Sequence, residues 1–148
     1  MCALTPNPQT CWNCIDNISR EDVVVLTDIE VVEALLICAE QAASLLLSVT
    51  KDAARHANDG KATVALDACV ENFEELKHNS NEIQVKVDSR SFEDAKGLFN
   101  ETIYKKLEIC KHYFQAFEVN GPPNVVLEMN HVKDNYTFAY SLLVNLKP

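Results

Sequence analysis

At 148 residues, 47% apolar and 24% charged, the chain has the size and composition of one ordinary globular domain, which excludes a disordered, collagen-like or low-complexity protein. Three glycines, against a usual share of about 7%, are too few for the tight turns of an all-β fold or the loops of a dinucleotide-binding one. The net charge of −9 is uneven, with seven acids and one base in residues 1–40; it excludes the clustered Lys and Arg that nucleic acid and anionic membrane require, and it steers a basic protein partner.

Residues 1–19 form a polar segment with three cysteines and two prolines. It has no apolar leader, so the expectation is either a cytosolic chain or one whose leader has been removed. Four stretches with helical periodicity follow. In the first, Ile29, Val32, Leu36, Ala39, Ala43, Leu46 and Ala53 step by three, four or seven. A second seam runs beside it through Val31, Leu35, Cys38, Ala42, Leu45 and Val49, which predicts a helix covered on two adjacent faces. Its longest apolar run, Leu45-Leu46-Leu47, falls well short of the roughly 20 residues of a bilayer span. Asn58-Asp59-Gly60 reads as its C-cap.

The second stretch puts Leu66, Cys69, Phe73, Leu76, Ile83 and Val87 on one face, with Ser80 in the gap. Gln84 to Asp88 also alternates like a strand, but a single strand has no partner. The third places Phe92, Ala95, Phe99, Ile103, Leu107, Cys110, Phe114 and Phe117 together, opened by Ser89 or Ser91 before Glu93-Asp94. Gly121-Pro122-Pro123 breaks the chain. In the fourth, Val125, Met129, Val132, Tyr136, Ala139, Leu143 and Leu146 alternate steps of four and three. Four such helices joined by short breaks predict an all-α, antiparallel up-down-up-down bundle. The expected organisation is one domain over residues 1–148, with 1–22 an N-terminal hairpin and 23–148 the bundle.

Six cysteines (Cys2, Cys11, Cys14, Cys38, Cys69, Cys110) in a small chain read first as a disulfide framework and an oxidising compartment. Cys11-Trp12-Asn13-Cys14 is a C-x-x-C, but it lacks the βαβ context of a redox pair and the second ligand pair of a zinc site. His56, His78, His112 and His131 fall at polar helix positions or helix ends, with no metal-ligand or triad spacing. No phosphate-binding glycine loop is present, and acidic pairs such as Glu21-Asp22 and Glu93-Asp94 suit helix N-termini. The reading is therefore a non-enzyme with no metal and no cofactor. Three sequons, at Asn17, Asn100 and Asn135, are candidate glycosylation sites.

The order of these features resembles the plant pectin methylesterase inhibitor and invertase inhibitor family. The resemblance is carried by Cys2-Ala3-Leu4-Thr5-Pro6-Asn7 and the return to Cys11, by Cys69-Val70-Glu71-Asn72-Phe73, and by Cys110-Lys111-His112-Tyr113-Phe114. Gly121-Pro122-Pro123-Asn124 and Tyr140-Ser141-Leu142-Leu143-Val144-Asn145-Leu146 extend it along the chain. It implies a disulfide-stapled four-helix bundle with an amino-terminal helical hairpin, and the pairs Cys2–Cys11 and Cys69–Cys110. A third pair, Cys14–Cys38, is proposed from position, to pin the hairpin to the bundle.

The resemblance also implies function. Members are secreted to the cell wall (the apoplast) or sent to the vacuole, and they inhibit pectin methylesterase or acid invertase by reversible one-to-one binding that occludes the active-site cleft. Esterase is the preferred target, through exposed polar residues of the second and third helices: Glu71, Glu74, Glu75, Lys77 and His78, then Lys96, Asn100 and Lys105. Invertase is the alternative. Where its inhibitors carry a Pro-Lys-Phe loop, this chain has Ser89-Arg90-Ser91-Phe92, so Arg90 and Phe92 join the candidates while the proline is missing. A divergent, non-inhibitory extracellular binding protein is the third reading.

Overall fold

A computed structural model describes Cys14, Asp16 and residues 27–147. The expected pair Cys2–Cys11, the sequon at Asn17 and all of the 1–22 hairpin except Cys14 and Asp16 lie outside the described residues. Four helical stretches follow: α1, Asp28–His56; α2, Gly60–Asp88; α3, residues 92–116; and α4, Pro123–Leu143. They run antiparallel, α1 lying along both α4 and α2, α2 along α3, and α3 only lightly against α4. Among the described residues there is no strand, and residues 84–88 are the last turn of α2.

The first two helices begin where the sequence offers side-chain acceptors to free N–H groups, whereas neither Ser91 before α3 nor Pro122 before α4 makes a side-chain cap bond. Thr27 and Glu30 form a reciprocal capping box at the start of α1. The Thr27 N–H donates to the Glu30 carboxylate at 2.7 Å, and that bond holds the Glu30 pKa below its ordinary value. Asp59 accepts from Lys61 N–H at the start of α2, which corrects the sequence reading of Asn58-Asp59-Gly60. Asp59 opens the second helix, with Gly60 as its first residue; α1 has already ended at Ala57, whose backbone is extended. The carboxylate beside two free N–H groups outweighs the turn preference of the glycine.

The core-facing rows close on one another. Val32, Leu36, Ala39, Ala43 and Leu46 of α1 meet Leu66, Cys69, Phe73, Leu76, Ile83 and Val87 of α2, together with Val125, Val132, Tyr136, Ala139 and Leu143 of α4, and all are buried. Phe138 and Leu142 add a second buried row on α4 that the single-face reading omitted. On α1 the second seam is covered only in part. Val31 and Leu35 are buried, but Leu45 is 49% exposed, so double coverage does not extend past the middle of the helix. By length and composition α1 is apolar enough to cross a membrane, with a mean hydropathy of 1.6 over its most apolar window. Counting only the Leu45–Leu47 run understated this, because the interspersed polar residues are few. Within that window 44% is buried in the bundle, and much of the remainder packs partly against the core.

Among the described residues, two disulfides join the helical framework. Cys69 on α2 is bonded to Cys110 on α3, with Cα atoms 5.0 Å apart and both residues fully buried. Cys14 is bonded to Cys38 on α1 across 6.0 Å between Cα atoms. On the chain-entropy model, closing these loops of 41 and 24 residues stabilises the fold by roughly 3 to 4 kcal/mol each.

The scarcity of glycine shows at two helix ends. After α2, Ser91 N–H bonds to Lys86 C=O and Arg90 N–H to Val87 C=O; after α3, Val119 N–H bonds to Phe114 C=O and Glu118 N–H to Gln115 C=O. Both are Schellman caps, whose left-handed residue is usually glycine. Here it is Arg90 at φ 60° and Glu118 at φ 54°. Gly121 is required for a different reason, since a Cβ there would lie 2.9 Å from Val126 Cγ2 and 3.0 Å from the Phe114 ring.

Left-handed backbone costs an L-residue about 1–2 kcal/mol, partly offset by the entropy a glycine loses. Glu118→Gly is therefore expected to stabilise the fold by about 1 kcal/mol and raise the Tm by a few degrees in a thermal melt; a lower Tm would contradict it. Glu33 gives a pH-dependent counterpart. Partial burial raises its pKa, and the neighbouring Asp88 and Glu30 carboxyls raise it further. A folded pKa above the unfolded one makes ionisation destabilising, so the penalty is absent in acid and complete once pH has risen through the raised folded value. Glu33→Gln should stabilise the protein at pH 7 and lose that advantage as pH falls through the carboxylate range, as measured by denaturant melts at several pH values.

Candidate functional site

α3 is not a uniform α-helix. Phe92–Leu98 is α-helical, Phe99–Ile103 is a π-turn, and Tyr104–Ala116 is α-helical again. The cause lies in the spacing of Ala95, Phe99, Ile103 and Leu107, three successive steps of four. In an α-helix each such step overshoots a full turn by about 40°, so three would carry Leu107 off the core face. The wider π-turn absorbs the drift and leaves all four buried. It also sets Glu101 and Thr102 against α2.

Between α2 and this part of α3 lies an open groove of about 720 Å³. Glu71, Glu74, Glu75, His78 and Asn79 line it from α2, and Glu101, Thr102 and Lys106 from α3. Lys106 Nζ is paired with the Glu75 carboxylate across the two helices, and Lys51 of α1 approaches Glu74 at 3.5 Å. His78 sits 3.3 Å from Glu82 along its own helix. Four carboxylates thus face one lysine and one histidine, a negative surface on rigid helices. With helix-borne side chains, an acidic face and no nucleophile–base pair, the groove is equipped to bind a positively charged surface.

The structure brings together four of the expected contact residues, Glu71, Glu74, Glu75 and His78, in one groove. Lys77, Arg90, Lys96, Asn100 and Lys105 do not line it. Asn100 and Lys105 are exposed on α3, and Arg90 is exposed on the α2–α3 turn. Lys77 is half-buried, and Lys96 is turned to Glu93 on its own helix. Phe92 is a correction. Only 2% exposed, it is the first core residue of α3 and is not available to a partner. The sequence reading missed Asn79, Glu101, Thr102 and Lys106; the run of four-residue steps was the signal for the π-turn that places Glu101 and Thr102.

A smaller cleft of about 270 Å³ opens where α3 and α4 diverge, floored by Leu107 and Met129 beneath Tyr104 and Lys133. Tyr104 Oη and Thr137 Oγ1 are 3.3 Å apart across it. Burial raises the Tyr104 pKa, with the Thr137 hydroxyl acting against that. In the core, the Tyr136 hydroxyl is fully buried and has no hydrogen-bond partner among the described residues. Desolvation pushes its pKa upward, against the opposing effect of Ser80 on α2. Among the described residues no cluster of three or more His, Cys, Asp or Glu side chains is arranged to hold a metal ion.

Neither the protein-family models nor the curated protein sequences give a match to this chain. The solved structures do. The fold is similar to the crystal structure of a pectin methylesterase inhibitor from Arabidopsis thaliana, with a TM-score of 0.74 at 15% sequence identity, over 100% of this chain and 94% of that one. The chain shares the helical-bundle fold of that structure, and its own bundle is stapled by Cys14–Cys38 and Cys69–Cys110.

Proposed function

We propose that the protein is a proteinaceous enzyme inhibitor whose target is a plant pectin methylesterase, held through the acidic groove between α2 and α3. The observation that carries this reading is the fold, shared along the full chain with a pectin methylesterase inhibitor. The groove supports it, because four carboxylates on rigid helices suit a basic enzyme surface and would be preorganised for it. Inhibition then needs no catalytic group, only a one-to-one complex that covers the enzyme's active-site cleft. Acid invertase is the less favoured target, since the α2–α3 turn presents Arg90 but buries Phe92 in the core. We also infer a secreted protein, in the cell wall or vacuole, with Cys2–Cys11 as a third disulfide and residues 1–148 as one domain. Disulfides that persist require an oxidising compartment.

Titrating the oxidised protein into parallel assays of a plant pectin methylesterase and a plant acid invertase at mildly acidic pH should abolish the esterase activity at one equivalent. Loss of invertase activity alone would reverse the assignment, and loss of neither would refute inhibition of these targets. The groove has its own test. Glu74 and Glu75 are exposed and their ion pairs lie at the surface, so Glu74→Lys with Glu75→Lys should cost at most about 1 kcal/mol per pair in stability. The same double variant should weaken esterase inhibition at least tenfold. A variant that melts normally and inhibits as before would remove the groove from the interface.

A further inference from the structure

The chain offers two sequons within the described residues, Asn100-Glu101-Thr102 and Asn135-Tyr136-Thr137, and the fold treats them differently. Asn100 is exposed, in the π-turn of α3. Its neighbours Phe99 and Ile103 take the buried positions, so nothing in the core depends on the Asn100 side chain. Asn135 is half-buried, and its Nδ2 donates to His131 C=O at 2.8 Å. It shares a helix face with Phe138 and Leu142, three and seven residues on, which form the second buried row of α4. A sugar on Asn135 would crowd the edge of that packed row and displace the bond to His131 C=O, whereas one on Asn100 leaves directly into solvent.

We propose that Asn100 is an N-glycan acceptor and that Asn135 stays bare. The proposal rests on the secretory part of the proposed function, because the acceptor must meet the glycosylation machinery on the oxidising route that forms the two disulfides. Attachment joins the Asn100 side-chain nitrogen to the anomeric carbon of the first sugar. The lipid pyrophosphate leaves the sugar donor as the nitrogen loses a proton. The glycan is rooted one residue from Glu101 and two from Thr102, both of which line the acidic groove. It therefore stands at the rim of the surface proposed to hold the enzyme, and occupancy at Asn100 lowers the protein's hold on its target.

Expression behind a secretion leader in a plant cell line, followed by tryptic mass spectrometry, tests the assignment directly. Cleavage after Lys96 and Lys105 gives a peptide whose only sequon is Asn100, and cleavage after Lys133 gives one, 134–148, whose only sequon is Asn135, since Lys147-Pro148 resists trypsin. The expected result is glycan on the 97–105 peptide and an unmodified 134–148 peptide. A bare 97–105 peptide, or equal occupancy of both, overturns it. The glycosylated protein should then inhibit pectin methylesterase at least tenfold less well than the Asn100→Gln variant from the same cells. Native enzymatic removal of the glycan should match that variant, which guards against a folding defect in the substitution. Equal potency of all forms overturns the shielding. Inhibition by none of them would sink the proposed function and leave the acceptor assignment to be decided by the peptides alone.

Discussion

The bond between Cys69 and Cys110 fixes what the rest of the structure relies on, the axial register of α2 against α3. Both cysteines are fully buried on the core faces of facing helices, and their Cα atoms stand 5.0 Å apart. One turn of slip would displace the helices by about 5.4 Å and separate Glu75 from Lys106. With the register held, residues 71–79 of α2 face residues 101–106 of α3, and the groove follows. Glu71 to Glu75 all lie within two helical turns of Cys69 along α2. The chain thus places this disulfide beside the acidic groove.

The opposite side of α3 is held differently. α3 and α4 touch little, and beside the Tyr104–Thr137 hydroxyl pair their contact is aromatic: Phe99 packs edge-on against Tyr136 at 6.1 Å and against Tyr140 at 5.4 Å between ring centres. Such pairs stabilise by about 0.5–1.5 kcal/mol beyond the area they bury. Phe99 begins the π-turn, so the same local widening serves both sides of the helix. It keeps Phe99 and Ile103 in the core, and it turns Glu101 and Thr102 towards α2. Tyr136 fills the core with a hydroxyl that has no hydrogen-bond partner among the described residues, and its burial raises the pKa against the opposing Ser80 side chain.

Most of the bundle was legible because helix burial repeats every three or four residues, and the rows read from Leu66 to Val87 and from Val125 to Leu143 are buried as expected. What escaped reading depended on competition between local signals. Asp59 could end one helix or begin the next, and its side-chain bond to Lys61 N–H decides for the next. The left-handed caps at Arg90 and Glu118 carry no signature, since a glycine would have announced them and the chain has few. Phe92 was legible twice, as a core residue by spacing and as a contact by resemblance, and burial selects the first. The groove was half legible. Its α2 wall follows from ordinary periodicity, while the Glu101 and Thr102 part of its α3 wall requires knowing that three steps of four bend the face.

This division explains how 15% identity can accompany a TM-score of 0.74 along the whole chain. The fold is specified by buried rows, helix caps and the α2–α3 disulfide, positions where a substitution creates a cavity, removes a cap or opens a long loop. The groove lies outside that set. Glu71, Glu74, Glu75 and Glu101 are exposed, and surface substitutions of this kind usually change stability by about 0.5 kcal/mol or less. A charge that contributes little to folding can still contribute strongly to association, where a facing charge on a partner is desolvated and a like charge is repelled. Partner choice can therefore be rewritten on the polar faces of α2 and α3 without affecting the bundle. A glycan on Asn100 would act on that same face, changing which surfaces can approach while the core that positions them stays as it is.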